Sequence, residues 1–456
     1  MRNSFSKSLF IICSLILLNN TGLYANPFDD DGIFTKIGNG VVNTYDKVKD
    51  KASDVKDVVV DTAKDVKDAV VDKVKDVKEG VKKGYSTVTS KVNNLVNKNK
   101  DLPDFVTEAI FIPGHESKEM ICQGIAYLPD KVMEPSKQPD GSYFRYILLS
   151  YYPKDSEQPS QLVVIDRKTG EPVKRFPLYK KSGKPYTGHA GGVAVAGKYV
   201  WVCSGRCIYG FSTQEILNFI SDKKTKAKAE DGLPDSFDKL PAYRLTCVKD
   251  YDVDSKASFV SFDGKYIWVG DFAKGVGKSY SPIKHHKVLG HNAWIAGYLV
   301  DSDGYPTSTV EYEYKDGDDT ENAHKPDVVI AMRDFVQGMA MCDNYLALSV
   351  SMGPINSKIA MYKNPLKNSS SQKLTYTPEG CDSSFTVDAY KLRNIKDWEK
   401  TVKISCGSED MEYDGNHLYV TFECSSKEYN QSWKNINPLV KMTEDFYIID
   451  PKKIIK

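Results

Sequence analysis

Ser258-Phe-Val-Ser-Phe-Asp-Gly-Lys-Tyr-Ile-Trp-Val269 is an apolar strand, a tight Asp-Gly turn and a second apolar strand within twelve residues. The same design returns as His189-Ala-Gly-Gly-Val-Ala-Val-Ala-Gly-Lys-Tyr-Val-Trp-Val202, Gln337-Gly-Met-Ala-Met-Cys-Asp-Asn-Tyr-Leu-Ala-Leu348 and Glu409-Asp-Met-Glu-Tyr-Asp-Gly-Asn-His-Leu-Tyr-Val420. A fifth copy, Gln123-Gly-Ile-Ala-Tyr-Leu-Pro-Asp130, meets its second strand, Tyr146-Ile-Leu-Leu-Ser-Tyr151, after a longer interval. Alternating apolar positions around a Gly- or Asn-containing turn are a hairpin signal. A hairpin recurring at a long period is how a β-propeller blade reads in sequence.

Aligned on their turns at Gly197, Gly264, Asp343 and Gly415, the copies bring Gly191, Ser258, Gln337 and Glu409 into one register, and Gln123 joins through its Gln-Gly. The intervals between these five positions are 68, 67, 79 and 72 residues. That regularity predicts an all-β, five-bladed propeller; a degenerate blade hidden between 258 and 337 would make it six-bladed. From Glu409 to the end only 47 residues remain, one strand short of a blade. The alternating segment Phe105–Ile112 is the candidate to supply that strand, closing the ring and removing its exposed edges. Trp201, Trp268 and Tyr419 share one alignment column, which assigns them to packing between blades.

The chain before the repeats divides further. Residues 1–25 read as a secretory signal: Arg2 and Lys7, an apolar run from Leu9 to Leu18, and a small-residue cleavage site at Leu23-Tyr24-Ala25. A short leader (26–40) follows. In residues 41–97, Asp54-Val-Lys-Asp57, Asp65-Val-Lys-Asp68 and Asp76-Val-Lys-Glu79 recur at a period of eleven. Fifteen apolar steps cover 55 residues there, a spacing of 55/15, about 3.67, which is that of an α-helix. A continuous amphipathic helix of this length would extend about 85 Å at roughly 1.5 Å per residue. Its apolar face is mostly valine, which gives up side-chain freedom in a helix. Such a helix needs a surface to lie on. Residues 98–104 are the linker, and 105–456 the propeller.

The charge is nearly balanced, 62 basic against 61 acidic residues, which argues against a nucleic-acid partner. Eight cysteines remain beyond the leader, an even count that in an exported chain suggests disulfides. Cys203 and Cys207, flanking Ser204-Gly205-Arg206, are the expected pair.

In a propeller the inner strand of each blade lines a central channel. The registered positions therefore predict a ring of Gln123, Ser258, Gln337 and Glu409 around one axis. His189, two residues before Gly191, points to the same side by strand alternation. Such a ring could bind a ligand, hold a cation with Glu409 as its charged ligand, or pair His189 with Glu409 for acid–base work. Asp271, Arg333, Asp334, Glu412 and Glu423 are further charged residues near strand ends that could flank the site. His285, His286 and His291 lie in a separate Lys/His-rich insertion; two adjacent histidines with a third five residues on could bind a transition metal, but their spacing fits no standard site. Nucleophile-elbow, His-Glu-x-x-His, phosphate-loop and dinucleotide motifs are missing.

Val336-Gln-Gly-Met-Ala340 and Ser408-Glu-Asp-Met-Glu412 with Tyr419-Val-Thr-Phe-Glu423 resemble secreted β-propellers of the lactonase and NHL-repeat groups. That resemblance implies a central-channel site and, for lactonase-type members, a divalent cation such as Ca2+ held by carboxylate and amide ligands. Only Glu409 matches a carboxylate in register. Residues 41–97 resemble the eleven-residue repeats of late-embryogenesis-abundant, synuclein-like and apolipoprotein-like segments, which implies reversible binding to a lipid surface or partner helices. The combined expectation is an exported or cell-envelope propeller, non-enzymatic, that binds a ligand or protein partner and is tethered by its helix. The alternatives are a secreted lactonase-like hydrolase using His189 and Glu409, and a structural envelope protein.

Overall fold

The computed structural model describes residues 102–456 except 130, 133–143, 155–156, 223–236, 238–239, 276–279 and 393–397. The leader and the eleven-residue repeat lie outside the described residues.

The described chain is a five-bladed β-propeller. Blade 1 consists of Met120–Leu128, Tyr146–Pro153, Gln161–Asp166 and Glu171–Tyr179, with the short strand Leu245–Thr246 added in parallel. Blade 2 is Val193–Ala196, Tyr199–Ser204, Cys207–Ser212 and Lys249–Asp252. Blade 4 is Val336–Cys342, Tyr345–Val350, Asn356–Lys363 and Trp398–Cys406. Blade 5 runs Ser408–Tyr413, Leu418–Phe422 and Asp445–Ile449, and its outer strand is Val106–Phe111 from the start of the domain. That strand pairs antiparallel with Asp445–Ile449, so the ring closes on a strand borrowed from the other end of the chain.

Blade 3 explains the long interval that left room for a sixth blade. Phe259–Phe262, Tyr266–Gly270, Ala293–Leu299 and Val328–Met332 form its four strands. Its outer edge is then extended by Phe385–Lys391, in parallel, and Gln372–Tyr376, both from the chain between the third and fourth strands of blade 4. The interval itself is lengthened by the connection that carries the helical turn Lys284–His286 and by the separate hairpin Glu311–Asp316 and Asp319–His324. The count is five.

Two local rules make the blades alike. The aligned turn positions all adopt left-handed backbone: Gly197 (φ 54°), Gly264 (91°), Asp343 (47°) and Gly415 (94°). Gly197 and Asp343 lie in two-residue turns and Gly264 and Gly415 in four-residue turns, and each turn places one residue in the conformation that Gly or Asp adopts at least cost. Beside Gly264 and Gly415, the turn carboxylates Asp263 and Asp414 accept from the next backbone N–H groups and from Trp268 Nε1 and Tyr419 Oη. Each aromatic of that column is fully buried in a core between its own blade and the next: Trp201 between blades 2 and 3, Trp268 between 3 and 4, Tyr419 between 5 and 1. Burial of each is worth on the order of 2–3 kcal/mol in apolar area.

The inner strands touch their neighbours all round the axis. Glycine permits this at the position after the registered residue in three blades. A Cβ on Gly124 would lie 2.7 Å from Val193 N, one on Gly192 2.5 Å from Val260 N, and one on Gly338 2.6 Å from Glu409 O. In blade 5 that position is Asp410 instead.

The expected Cys203–Cys207 disulfide is not formed, and all eight described cysteines are free. The hairpin pairs Cys203 with Ile208 and Ser204 with Cys207. Offset by one residue, the two cysteines project from opposite faces of the sheet, out of bonding reach.

Candidate functional site

One mouth of the channel opens into a cavity of about 500 Å³. All five registered positions, Gln123, Gly191, Ser258, Gln337 and Glu409, line it together with His189. The ring anticipated from the repeat therefore exists as one wall. Glu423 joins it, and Phe272, Tyr280, Tyr429 and Trp433 supply an aromatic rim, with Lys256 and Lys274 on the blade 3 side.

The inner strands reach this wall through irregular backbone. Pairing slips at Cys122/Ile125, Val336/Gly338 and Ser408/Met411, so Gln123, Gln337 and Glu409 each sit in a bulge. Bulges re-aim side chains next to sites. In blades 2 and 3 the preceding residues take left-handed backbone instead, Ala190 at φ 49° and Ala257 at φ 51°. Alanine is seldom found there, and such strain persists only where surrounding structure holds it.

Glu409 is 2 % exposed and pairs with Glu423 rather than with His189. Burial and then the Glu423 carboxyl hold Glu409 well above the usual carboxylate range, while the Gln337 amide, donating to Glu409 Oε1 at 3.2 Å, pulls the other way. Burial also raises Glu423, to about 7, against hydrogen bonds to Glu409 and the Gln123 amide. Two carboxyls in contact cannot both ionise cheaply, so they share a proton. Two amides from blades 1 and 4 hold them in place.

Deeper in the channel, Asp410 Oδ2 accepts from Ile125 N at 3.2 Å and Val193 N at 3.0 Å, stitching blade 5 to blades 1 and 2. Asp410 Oδ1 and Glu412 Oε2 are buried without a partner, and burial lifts both groups well above the carboxylate range. The inner strand of blade 5 is thus a column of proton-retaining acids.

His189 stacks on Tyr152 with ring centroids 4.0 Å apart, and Tyr152 Oη lies 3.1 Å from Tyr429 Oη. The imidazole is exposed to the cavity, and the protein packed beside it lowers its pKa by partial desolvation. It faces the site as a neutral ring. Acid–base pairing of His189 with Glu409 is not the arrangement found. Ser258 Oγ accepts from Phe272 N at 2.9 Å, so this hydroxyl shapes the wall as well as lining it.

The other charged residues flagged by the sequence divide among separate neighbourhoods. Glu423 enters the cavity. Asp334 accepts from Gly275 N and the Asn292 amide, and Arg333 bonds Tyr362. Asp271 belongs to a second buried cluster in blade 3. There His286 bridges two carboxylates, with Nδ1 2.6 Å from Asp271 Oδ2 and Nε2 2.9 Å from Asp254 Oδ1, and His285 Nε2 lies 2.8 Å from the same Asp254 oxygen. Burial opposes the imidazolium of His286, but Asp271 and Asp254 outweigh it and raise the pKa to about 9. Asp254, whose role no sequence motif marked, is held below the usual range by the two histidines despite its burial. His291 lies outside this cluster.

No family model and no curated protein matches the chain. Among solved structures, the chain is similar to the glutaminyl cyclase of Myxococcus xanthus at 5 % identity and a TM-score of 0.33, covering 75 % of this chain and 94 % of that one. It is also similar to BamB from Moraxella catarrhalis at 8 % identity and a TM-score of 0.24, covering 70 % of this chain and 96 % of that one. Both likenesses concern the fold alone.

Proposed function

We propose that this β-propeller is an exported binding protein that takes a small organic ligand bearing a basic nitrogen into its central-channel cavity. The observation that carries the reading is the proton-sharing Glu409–Glu423 pair, set by two glutamine amides at the wall of a cavity of about 500 Å³. A cationic nitrogen at that pair would take the place of the shared proton and leave both carboxylates paired. The aromatic rim favours a cation over its ring faces, a contact worth about 0.5–2 kcal/mol. Lys256 and Lys274, on the blade 3 side, suit an acidic group at the ligand's other end, which makes an amino-acid-sized zwitterion the best fit. Neutral His189 and the Tyr152–Tyr429 pair contribute polar but uncharged contacts.

In this reading residues 1–25 export the chain and the helix at 41–97 holds the propeller to a lipid surface or assembly. Circular dichroism of that segment with anionic vesicles tests the tether; no gain in helicity removes it.

The site is tested by calorimetry at pH 7 with amines and amino acids. Binding should release a proton, seen as a dependence of the heat on buffer ionisation enthalpy, and Glu409→Gln should weaken it at least about tenfold. Unchanged affinity in that variant defeats the reading. Stoichiometric Ca2+ lost with Glu409→Gln would instead favour a metal-dependent hydrolase.

A further inference from the structure

The buried cluster in blade 3 is remote in sequence from any recognisable motif, yet it has the composition and layout of a metal centre. Asp254 lies in the loop leading to the inner strand, His285 and His286 in a single helical turn at Lys284–His286. Asp254 Oδ1, His285 Nε2 and His286 Nε2 all lie within 4.8 Å of one another, and the three residues are buried. Both imidazole nitrogens converge on one carboxylate oxygen, at 2.8 and 2.9 Å. A tetrahedral set around zinc, with ligands at about 2.0–2.1 Å, spaces its donors about 3.3 Å apart. Widening the two oxygen–nitrogen separations by about 0.5 Å, with the imidazole nitrogens within 4.8 Å of each other, would admit the ion among these side chains.

The outer groups match as well. Asp271 Oδ2 takes the far nitrogen of His286 at 2.6 Å, the carboxylate–histidine–metal arrangement that fixes tautomer and ring orientation. Asp271 is itself held by Ser255 Oγ at 3.1 Å and Lys256 N at 2.8 Å. Tyr312 Oη donates to Asp254 Oδ2, which leaves Oδ1 as the ligand atom. Trp294 stacks on one face of the His286 ring at 3.9 Å. An oxygen-plus-two-imidazole set suits Zn2+ and its transition-metal neighbours, and not Ca2+, which takes oxygen ligands.

We infer that Asp254, His285 and His286 form a binding site for a divalent transition metal of the zinc class, oriented by Asp271. The ion takes up the two imidazole lone pairs at Nε2: His286 loses its Nε2 proton to solvent, and His285, a neutral ring, carries its single proton on Nδ1 instead of Nε2. Neutral His286 keeps its Nδ1 proton on Asp271. Because the Asp254–Ala257 loop also supplies Lys256 and Ala257 to the channel cavity, the ion would brace one wall of that cavity from behind. The role is structural: the cluster is closed to solvent.

The test uses the purified full chain, freed of metal with a strong chelator at mildly acidic pH and titrated with Zn2+ and, separately, with Co2+. The expected result is one equivalent of bound Zn2+ per chain and, with Co2+, visible d–d absorption of a low-coordinate nitrogen–oxygen site. Asp271→Asn should keep the site but weaken it about 10–100-fold. His285→Gln should abolish the Co2+ spectrum. Wild-type protein that binds no stoichiometric Zn2+ overturns the inference without reference to any variant. So does Co2+ absorption that survives in folded His285→Gln, since the ion would then sit elsewhere.

Discussion

Blade 3 and blade 5 both bury acids, and the two sets are driven in opposite directions. In blade 3, Asp254 and Asp271 are closed to solvent, yet both lie below the usual carboxylate range, because His285 and His286 face Asp254 and His286 faces Asp271. In blade 5, Glu409, Asp410 and Glu412 are as deeply buried, have no cationic partner, and are all pushed upward. Burial acts alike on both. What decides the ionisation state is whether the fold also brings a counter-charge. Blade 3 is therefore a charged network that holds structure together, while in blade 5 the acid that lines the cavity, Glu409, is held without a counter-charge, as expected of a place awaiting a ligand.

The comparison breaks most decisively at Asp271. Asp271→Ala leaves His286 with one carboxylate and an unpartnered Nδ1, among buried side chains, and should cost about 3–5 kcal/mol of unfolding free energy in denaturant titration. The corresponding change in blade 5, Glu409→Gln, replaces a proton-carrying carboxyl by an amide of the same shape and should cost less than about 1 kcal/mol at pH 8. Equal losses from the two variants would mean that the acids of blade 5 are paired in a way their geometry does not provide.

A second prediction concerns pH. Glu423 in the folded chain titrates at about 7, above its unfolded value of 4.5. Between those values the native state binds more protons than the unfolded one, so this contribution is complete below about pH 4.5 and is lost as pH rises through 7. His189 and His286 titrate in overlapping ranges, so the measurement is the stability difference between wild type and Glu423→Gln at pH 5 and pH 8. That difference should shift against the wild type by about 1–3 kcal/mol on going to pH 8. A flat difference would show that the carboxyl pair does not share a proton.

Much of the ring was legible because its rules are local. Positive φ at Gly197, Gly264 and Gly415 follows from hairpin chemistry, and closure by Val106–Phe111 follows from counting strands. Aligning the repeats on their turns likewise sufficed to bring Gln123, Ser258, Gln337 and Glu409 to one mouth. Side-chain partnership did not follow, since Gln123 and Glu409 sit in the bulges at Cys122/Ile125 and Ser408/Met411, where simple alternation no longer sets the side-chain direction. The disulfide expectation failed on a matter of parity that the turn length at Ser204-Gly205-Arg206 decides. Blade 3 hid most: Asp254 and His286 are 32 residues apart, and two of its strands come from the chain of blade 4. No period in the sequence records such contacts.

The finest test of the comparison uses a histidine that sequence alone groups with the cluster. His291 follows His286 by five residues, but its ring lies outside the Asp254–His286 network. Burial and the nearby Lys391 lower its pKa, so it contributes a neutral ring rather than a charge. Its Nε2 has no hydrogen-bond partner in the structure, so truncation orphans nothing on that side. His291→Ala should therefore change stability by less than about 1 kcal/mol, within the range of partly buried substitutions that break no network. A loss approaching that of Asp271→Ala would extend the network of blade 3 to a residue the geometry excludes. A small loss would confirm that counter-charge contact, and not histidine density along the chain, distinguishes blade 3 from blade 5.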